Sequence, residues 1–167
     1  MTQASDPIGK ITSCSTQPHG STPMANPLTL YIPIKQDPEI QKAAKAAHDH
    51  FVELHTGELD LFEDVHYARL VLIPNPGGSG ILAICVITTF DGGMNPYLKF
   101  FWNNQALRKL FAGLAEMALV APDPAVTDLT TFETFINSNN LSNRPDDLYQ
   151  AYGHTVRQIK ARFSASA

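Results

Sequence analysis

The chain is short of charge. Asp, Glu, Lys and Arg make up 17% of its 167 residues, where about a quarter is usual for a soluble domain. That deficit implies that part of the surface is covered by another chain. Twelve basic residues stand against 16 acidic ones, a net charge of −4. The only basic grouping is Arg157, Lys160 and Arg162 near the C-terminus, which reads as the solvated face of a last helix. Nucleic-acid binding needs a basic footprint that this chain lacks. Cysteine is scarce as well. Cys14 and Cys85 cannot build a disulfide framework, and no Cys-x-x-Cys or Cys/His zinc spacing exists. Cys85 lies in an apolar run and reads as a small buried hydrophobe. There is no long apolar span and no secretory segment after Met1, so a cytoplasmic protein without membrane contact is expected. Neither a serine–histidine–acid order nor a phosphate-cradling glycine loop is present.

What is present is enough apolar material, 44% of the residues, for one ordinary core. Residues 1–27 are rich in Ser, Thr, Pro, Gln and Gly and bury too little to offset their ordering entropy, so they read as a disordered arm, with residues 28–167 as one domain. Leu28 to Ile34 reads as a first strand, with Pro33 ending regular pairing because it has no N–H to donate. Asp37-Pro38 opens a helix as cap and first residue. Ile40, Ala43, Ala44, Ala47, Phe51 and Leu54 then share one face, and Gly57 closes it. His48, His50 and His55 lie on or beside this helix, but their spacing does not bring three ligands to one face, and they read as solvent-facing. Asp64–Ile73 and Ile81–Phe90 are strands two and three, joined by the turn Asn75-Pro76-Gly77-Gly78.

Strand three is apolar without alternation through Ile81-Leu82-Ala83-Ile84-Cys85-Val86-Ile87, so both its faces should be buried. The helices of this chain can cover one face. A second copy in a homodimer is the expected cover of the other. After Asp91-Gly92-Gly93, the pair Asn95-Pro96 is a second cap-plus-proline start. The helical pattern runs on toward Val120, with Asn103-Asn104 as the restart between a short helix and a longer one. Thr131 is the expected cap of a short helix through Phe135 and Ile136. Leu148 to Tyr152 reads as strand four. Thr155 and Gln158 fit a capping box that opens the last helix.

The order β-α-β-β-α-β with additional helices is an α+β, antiparallel-sheet pattern of the ferredoxin-like kind. On it, the chain resembles the dimeric α/β-barrel group, which includes cofactor-free monooxygenases, heme-binding relatives and uncharacterised proteins. Leu30-Tyr31-Ile32-Pro33-Ile34-Lys35, Val65-His66-Tyr67-Ala68-Arg69, Phe90-Asp91-Gly92 and the stretch from Tyr149 to Ile159 are similar to phrases of an uncharacterised bacterial family of this type. A second, shorter likeness lies in Asp91-Gly92-Gly93-Met94-Asn95-Pro96, which shares the Asp-Gly-x-x-Asn-Pro spacing of dye-decolourising heme peroxidases. That likeness implies a heme-side role for Asp91, but the chain is about as long as one half of such an enzyme and no proximal histidine can be assigned.

The candidate catalytic residues are Asp91, His66 and Arg69. Asp91 follows an apolar strand and precedes a helix, with two glycines leaving room beside it. It can serve as a general base, or simply as a turn residue. His66 and Arg69 share strand two at an odd spacing, which puts them on opposite faces of a regular strand. Arg69 needs a carboxylate partner, with Asp91 or Asp64 the candidates. Tyr67, Asn95, Tyr97 and Trp102 are the candidate ligand-binding residues, although aromatics of this kind also serve as core and dimer contacts. The expectation is a homodimer that binds a small apolar or aromatic ligand, with no cofactor required. A cofactor-independent monooxygenase-like enzyme and a heme protein are the alternatives.

Overall fold

In the computed structural model, residues 25–54, 64–142 and 148–164 are described. Three strands, β1 (Asn26–Pro33), β2 (Val65–Pro74) and β3 (Ile81–Phe90), form an antiparallel sheet in the order β1-β3-β2. Five helices accompany them: α1 (Pro38–Leu54), α2 (Met94–Asn103), α3 (Gln105–Met117), α4 (Leu129–Asn139) and α5 (Val156–Ser164). The chain is an α+β protein.

The apolar periodicity dictates one packed layer. Leu28, Leu30 and Ile32 of β1, Leu70 of β2, and Ile84, Val86 and Phe90 of β3 point to the same side and meet Leu98, Phe101, Leu107, Phe111 and Leu114. Alternation in β1 produces this directly, because every second side chain of a strand shares a face. Aromatic rings continue the core outward. Phe90 stacks on Tyr97 at 3.8 Å, Phe101 meets Phe111 edge-on at 5.2 Å, and Phe132 of α4 packs on both Phe111 and Trp102. The space left between the sheet and these helices is about 20 Å³.

Local signals set most boundaries. Asp37 Oδ1 accepts the Glu39 N–H at 2.9 Å and starts α1. Asn104 ends α2 and also caps α3, its Oδ1 accepting from the N–H groups of Ala106 and Leu107. The hairpin loop is closed by Asn75 and Gly80. Gly57 and His55 lie outside the described residues, as do Cys14 and residues 1–24. Ala25 is buried and Asn26 and Pro27 belong to β1, so the first strand begins two residues before Leu28.

Four further boundaries differ from the sequence expectation. Helix α2 begins at Met94 with Gly93 as its cap and no side-chain cap bond, so Asn95 is not the cap. Helix α3 stops at Met117, before Val120, because the N–H of Leu119 turns to the Pro33 carbonyl at 2.7 Å. Asp128, not Thr131, caps α4. Its side chain accepts from the Thr131 N–H, and Thr131 returns the bond as the other half of a capping box.

The fourth difference is the largest. Residues 148–152 do not form a strand. The outer edge of β1, where a fourth strand would pair, is taken by two short contacts. Ala118 bridges Ile34 and Asn140 bridges Leu30. The Asn140 side chain accepts the Thr29 N–H, and the Leu141 N–H donates to the Thr29 carbonyl. With those backbone groups satisfied, the edge offers little to another strand. The 148–152 stretch lies instead at one end of the sheet's other face.

That other face has no helix layer over it among the described residues. Across it run Pro33-Ala83-Ile73, Tyr31-Cys85-Val71, Thr29-Ile87-Arg69 and Pro27-Thr89-Tyr67. Ala83 and Cys85 are shielded by larger neighbours, and burial pushes the Cys85 thiol up from its ordinary value. Ile87 is exposed.

Candidate functional site

The end of the hairpin builds a site from three elements. Val65 pairs with Phe90 and Tyr67 pairs with Thr89, so His66 is the extra residue of a β-bulge. A bulge re-aims the side chain it carries. His66 and Tyr67 consequently line the same cleft, and the face rule for a regular strand does not apply between His66 and Arg69.

Asp91 follows β3, where Gly92 adopts a φ of 81° that a side chain would resist. The turn is pinned on two sides. The Asp91 N–H donates to the Asp64 carbonyl at 2.7 Å, and the Asn26 amide donates to the Gly92 carbonyl at 2.6 Å. The carboxylate thus faces two donors. Oδ1 lies 2.9 Å from His66 Nε2, and Oδ2 accepts the Val156 N–H at 2.7 Å. The two side chains are only 11% and 8% exposed, so little water competes for the contact.

Val156 is the first residue of α5. Its helix is opened by the expected capping box, in which Thr155 Oγ1 accepts the Gln158 N–H and Gln158 Oε1 accepts the Thr155 N–H. Asp91 satisfies a further N–H of the first turn, where a negative charge is favoured. Arg157 adds an ion pair to Asp64 at 3.2 Å. These contacts fasten the start of α5 to the hairpin end.

Between the bulge and α5 lies a cleft of about 340 Å³. The sheet side is Ala25, His66, Tyr67 and Thr89. The other side is Leu148–Tyr152, His154 and Ile159. Gln150 shapes this wall, donating to the Tyr152 carbonyl and accepting the Ala25 N–H. Tyr67, Tyr149 and Tyr152 are largely exposed and present ring surface to solvent.

The imidazole is oriented by this arrangement. A carboxylate only accepts hydrogen bonds, so the His66 proton sits on Nε2 and a neutral ring keeps its lone pair on Nδ1. Among the described residues Nδ1 has no hydrogen-bond partner. A histidine held in one tautomer by a shielded acid is a general-base arrangement when a substrate proton comes within reach.

Of the residues singled out from sequence, the structure brings together Asp91, His66 and Tyr67. The others lie elsewhere. Arg69 is exposed and pairs with neither proposed acid, because His66 holds Asp91 and Arg157 holds Asp64. The Tyr97 phenol is buried against the sheet's helical side, where its O–H donates to Thr88 at 2.7 Å and burial drives its pKa up. Trp102 packs on Phe132 under the Arg108 guanidinium. Asn95 sits exposed in the first turn of α2 and does not line the cleft. Both Asp91 oxygens are engaged by protein donors. No cluster of three or more metal-ligating side chains occurs among the described residues.

Tyr149, Tyr152, His154 and Ile159 are wall residues that the sequence did not mark as a site. Their one available signal was an aromatic pair and a histidine set among breakers just before a capping box. No family model, curated protein or solved structure matches this chain. None of the described helices is long and apolar enough to cross a membrane.

Proposed function

We propose that the cleft beside His66 binds a small aromatic molecule bearing a hydroxyl group, with His66 Nδ1 accepting the hydroxyl proton. The observation that carries this is the shielded His66–Asp91 hydrogen bond in a tyrosine-walled cleft. The tyrosine rings and Ile159 suit a flat apolar body, while a single oriented polar group supplies direction. A monooxygenase-like enzyme is the second reading. The same oriented base favours it, since removing a phenolic proton raises the electron density of the ring for attack.

The chain-level setting belongs to the same proposal. The run β1-α1-β2-β3-α2 with β3 central supports a ferredoxin-like relative of the dimeric α/β-barrel group. A second copy is the proposed cover of the open sheet face, supported by its apolar rows and by the low charge of the chain. Sedimentation of an 18.3 kDa monomer alone at working concentration would remove the dimer.

The binding test uses 4-nitrophenol, whose absorption distinguishes phenol from phenolate. Bound probe is expected to show the phenolate band, and His66→Gln is expected to remove that band. A probe that fails to bind overturns the site. One that binds equally as the phenol in both proteins overturns the role of His66.

A further inference from the structure

The cleft has the form of half a site. Tyr67, Tyr149 and Tyr152 are 76%, 89% and 77% exposed, so a ring lying among them keeps one side in water. Sites for small molecules bury most of their ligand. A further wall is needed, and the sheet shows where it comes from. Tyr67 and Thr89 line the cleft and also form the end row of the open face, Pro27-Thr89-Tyr67. The same face runs on from that row through Ile87 to Cys85, Val71 and Tyr31. Whatever lies on the face therefore borders the cleft.

Resting on the aromatic site proposed above, we infer that this wall is a second copy of the chain, so that the ligand is held between two subunits and its binding is linked to dimer formation. The area fits a copy. Three strands at the length of β1, eight residues, present a face of about 400 Å². A stable dimer buries about 800 Å² on each partner. Ile159 faces the cleft, and Phe163 lies one turn further along α5 on the same side. Phe163 is 76% exposed, like Tyr67, and two such rings at about 150–250 Å² each supply most of the remainder. The face is also its own complement. Apolar sheet faces stack about 10 Å apart, and a two-fold axis lets one patch serve both subunits. Arg69 is the only charged side chain in the four rows. It lies on the edge strand β2, where a long side chain can turn its head out to water.

Sedimentation equilibrium and 4-nitrophenol titration of the full chain, run over one dilution series, test the link. The phenolate band per chain is expected to fall on dilution in step with the dimer. Probe at about ten times its half-saturating concentration should lower the dimer dissociation constant about a hundredfold, a factor of about ten for each site. Ile87→Glu places like charges on the two facing sheets without touching the cleft lining. Ile87 is exposed, so the fold should survive, and circular dichroism checks this. The variant is expected to be monomeric and to bind the probe at least about tenfold more weakly than the native dimer. A monomeric variant that binds as the native chain does overturns the inference and leaves the aromatic site standing. So does a native chain that stays monomeric with probe bound, or a band that ignores dilution through the dimer transition. A folded variant that remains dimeric also overturns it, because the interface then lies elsewhere. A native dimer that binds no probe overturns the aromatic site and this inference with it. Should the variant misfold, the dilution series alone decides.

Discussion

Two polar pairs lie on opposite sides of one sheet, and they differ in every respect that matters to function. On the helical face, Tyr97 and Thr88 share a hydrogen bond inside a core with about 20 Å³ to spare. At the end of the open face, His66 and Asp91 share one beside a cleft of about 340 Å³. The first pair has both of its polar tips turned to each other, the Tyr97 O–H donating to Thr88 Oγ1, and the bond serves to satisfy burial. The second keeps Nδ1 in reserve. A polar pair signals a site when one of its atoms stays uncommitted next to open volume, and burial alone does not make that distinction.

The largest effect that would sharpen the contrast comes from the packed side. Phe90→Ala removes a fully buried ring stacked on Tyr97 and should cost about 3–5 kcal/mol in urea unfolding. A loss below about 1 kcal/mol would mean that the helical face is not the tight core described. Asp91→Asn ranks next, at about 1–3 kcal/mol, because it replaces a shielded carboxylate that holds both His66 and the first turn of α5. Its amide would also donate to Nε2 and move the imidazole proton to Nδ1. Bound 4-nitrophenol should then lose its phenolate band even where binding persists. An unchanged band would dissolve the difference between the two pairs.

A third outcome concerns acid. The Thr131 backbone N–H, and then its hydroxyl, hold the Asp128 carboxyl below its ordinary value. A carboxyl lowered on folding stabilises the fold above its unfolded pKa, and that contribution is lost as pH falls through the lower folded value. The difference in urea midpoint between the native chain and Asp128→Ala should therefore shrink as pH falls through the carboxylate range. A difference that is flat with pH would exclude the charge as the source of the cap's effect.

The smallest effect belongs to the cleft wall. Tyr152→Ser should change stability by no more than about 0.5 kcal/mol, since the ring is largely exposed. It should nonetheless weaken 4-nitrophenol binding. Loss of stability comparable to Phe90→Ala would show that this wall belongs to the core and not to a site.

Legibility from the sequence followed the range of the signal. Asp37, Asn104 and the Thr155–Gln158 box act within a few residues, and each opens its helix as expected. The hairpin strands were equally legible, because turn residues and apolar runs bracket them. Asn95 and Thr131 look like caps too, but Gly93 and Asp128 lie nearer the turn that each helix must make. The Tyr149–Tyr152 stretch has a strand's composition and does not pair, since Asn140 and Ala118 already hold the edge of β1. Within the site, Asp91 and His66 could be named separately but not joined. The bulge that aims His66 depends on the pairing of Val65 and Tyr67 with β3.

The amino-acid order by itself determined where α1, α3 and α5 start, which residues form the hairpin, and that one face of the sheet is apolar enough to carry a core. These follow from local hydrogen bonding and from periodicity, which reach no further than a turn or a strand. Tertiary structure alone decided that Asp91 meets His66 and the start of α5 across 25 and 65 residues, that Arg69 stays apart from both acids, and that the last segment walls a cleft instead of completing the sheet. Those outcomes are competitions between distant groups for the same hydrogen bonds, and they resolve only when the whole chain is packed.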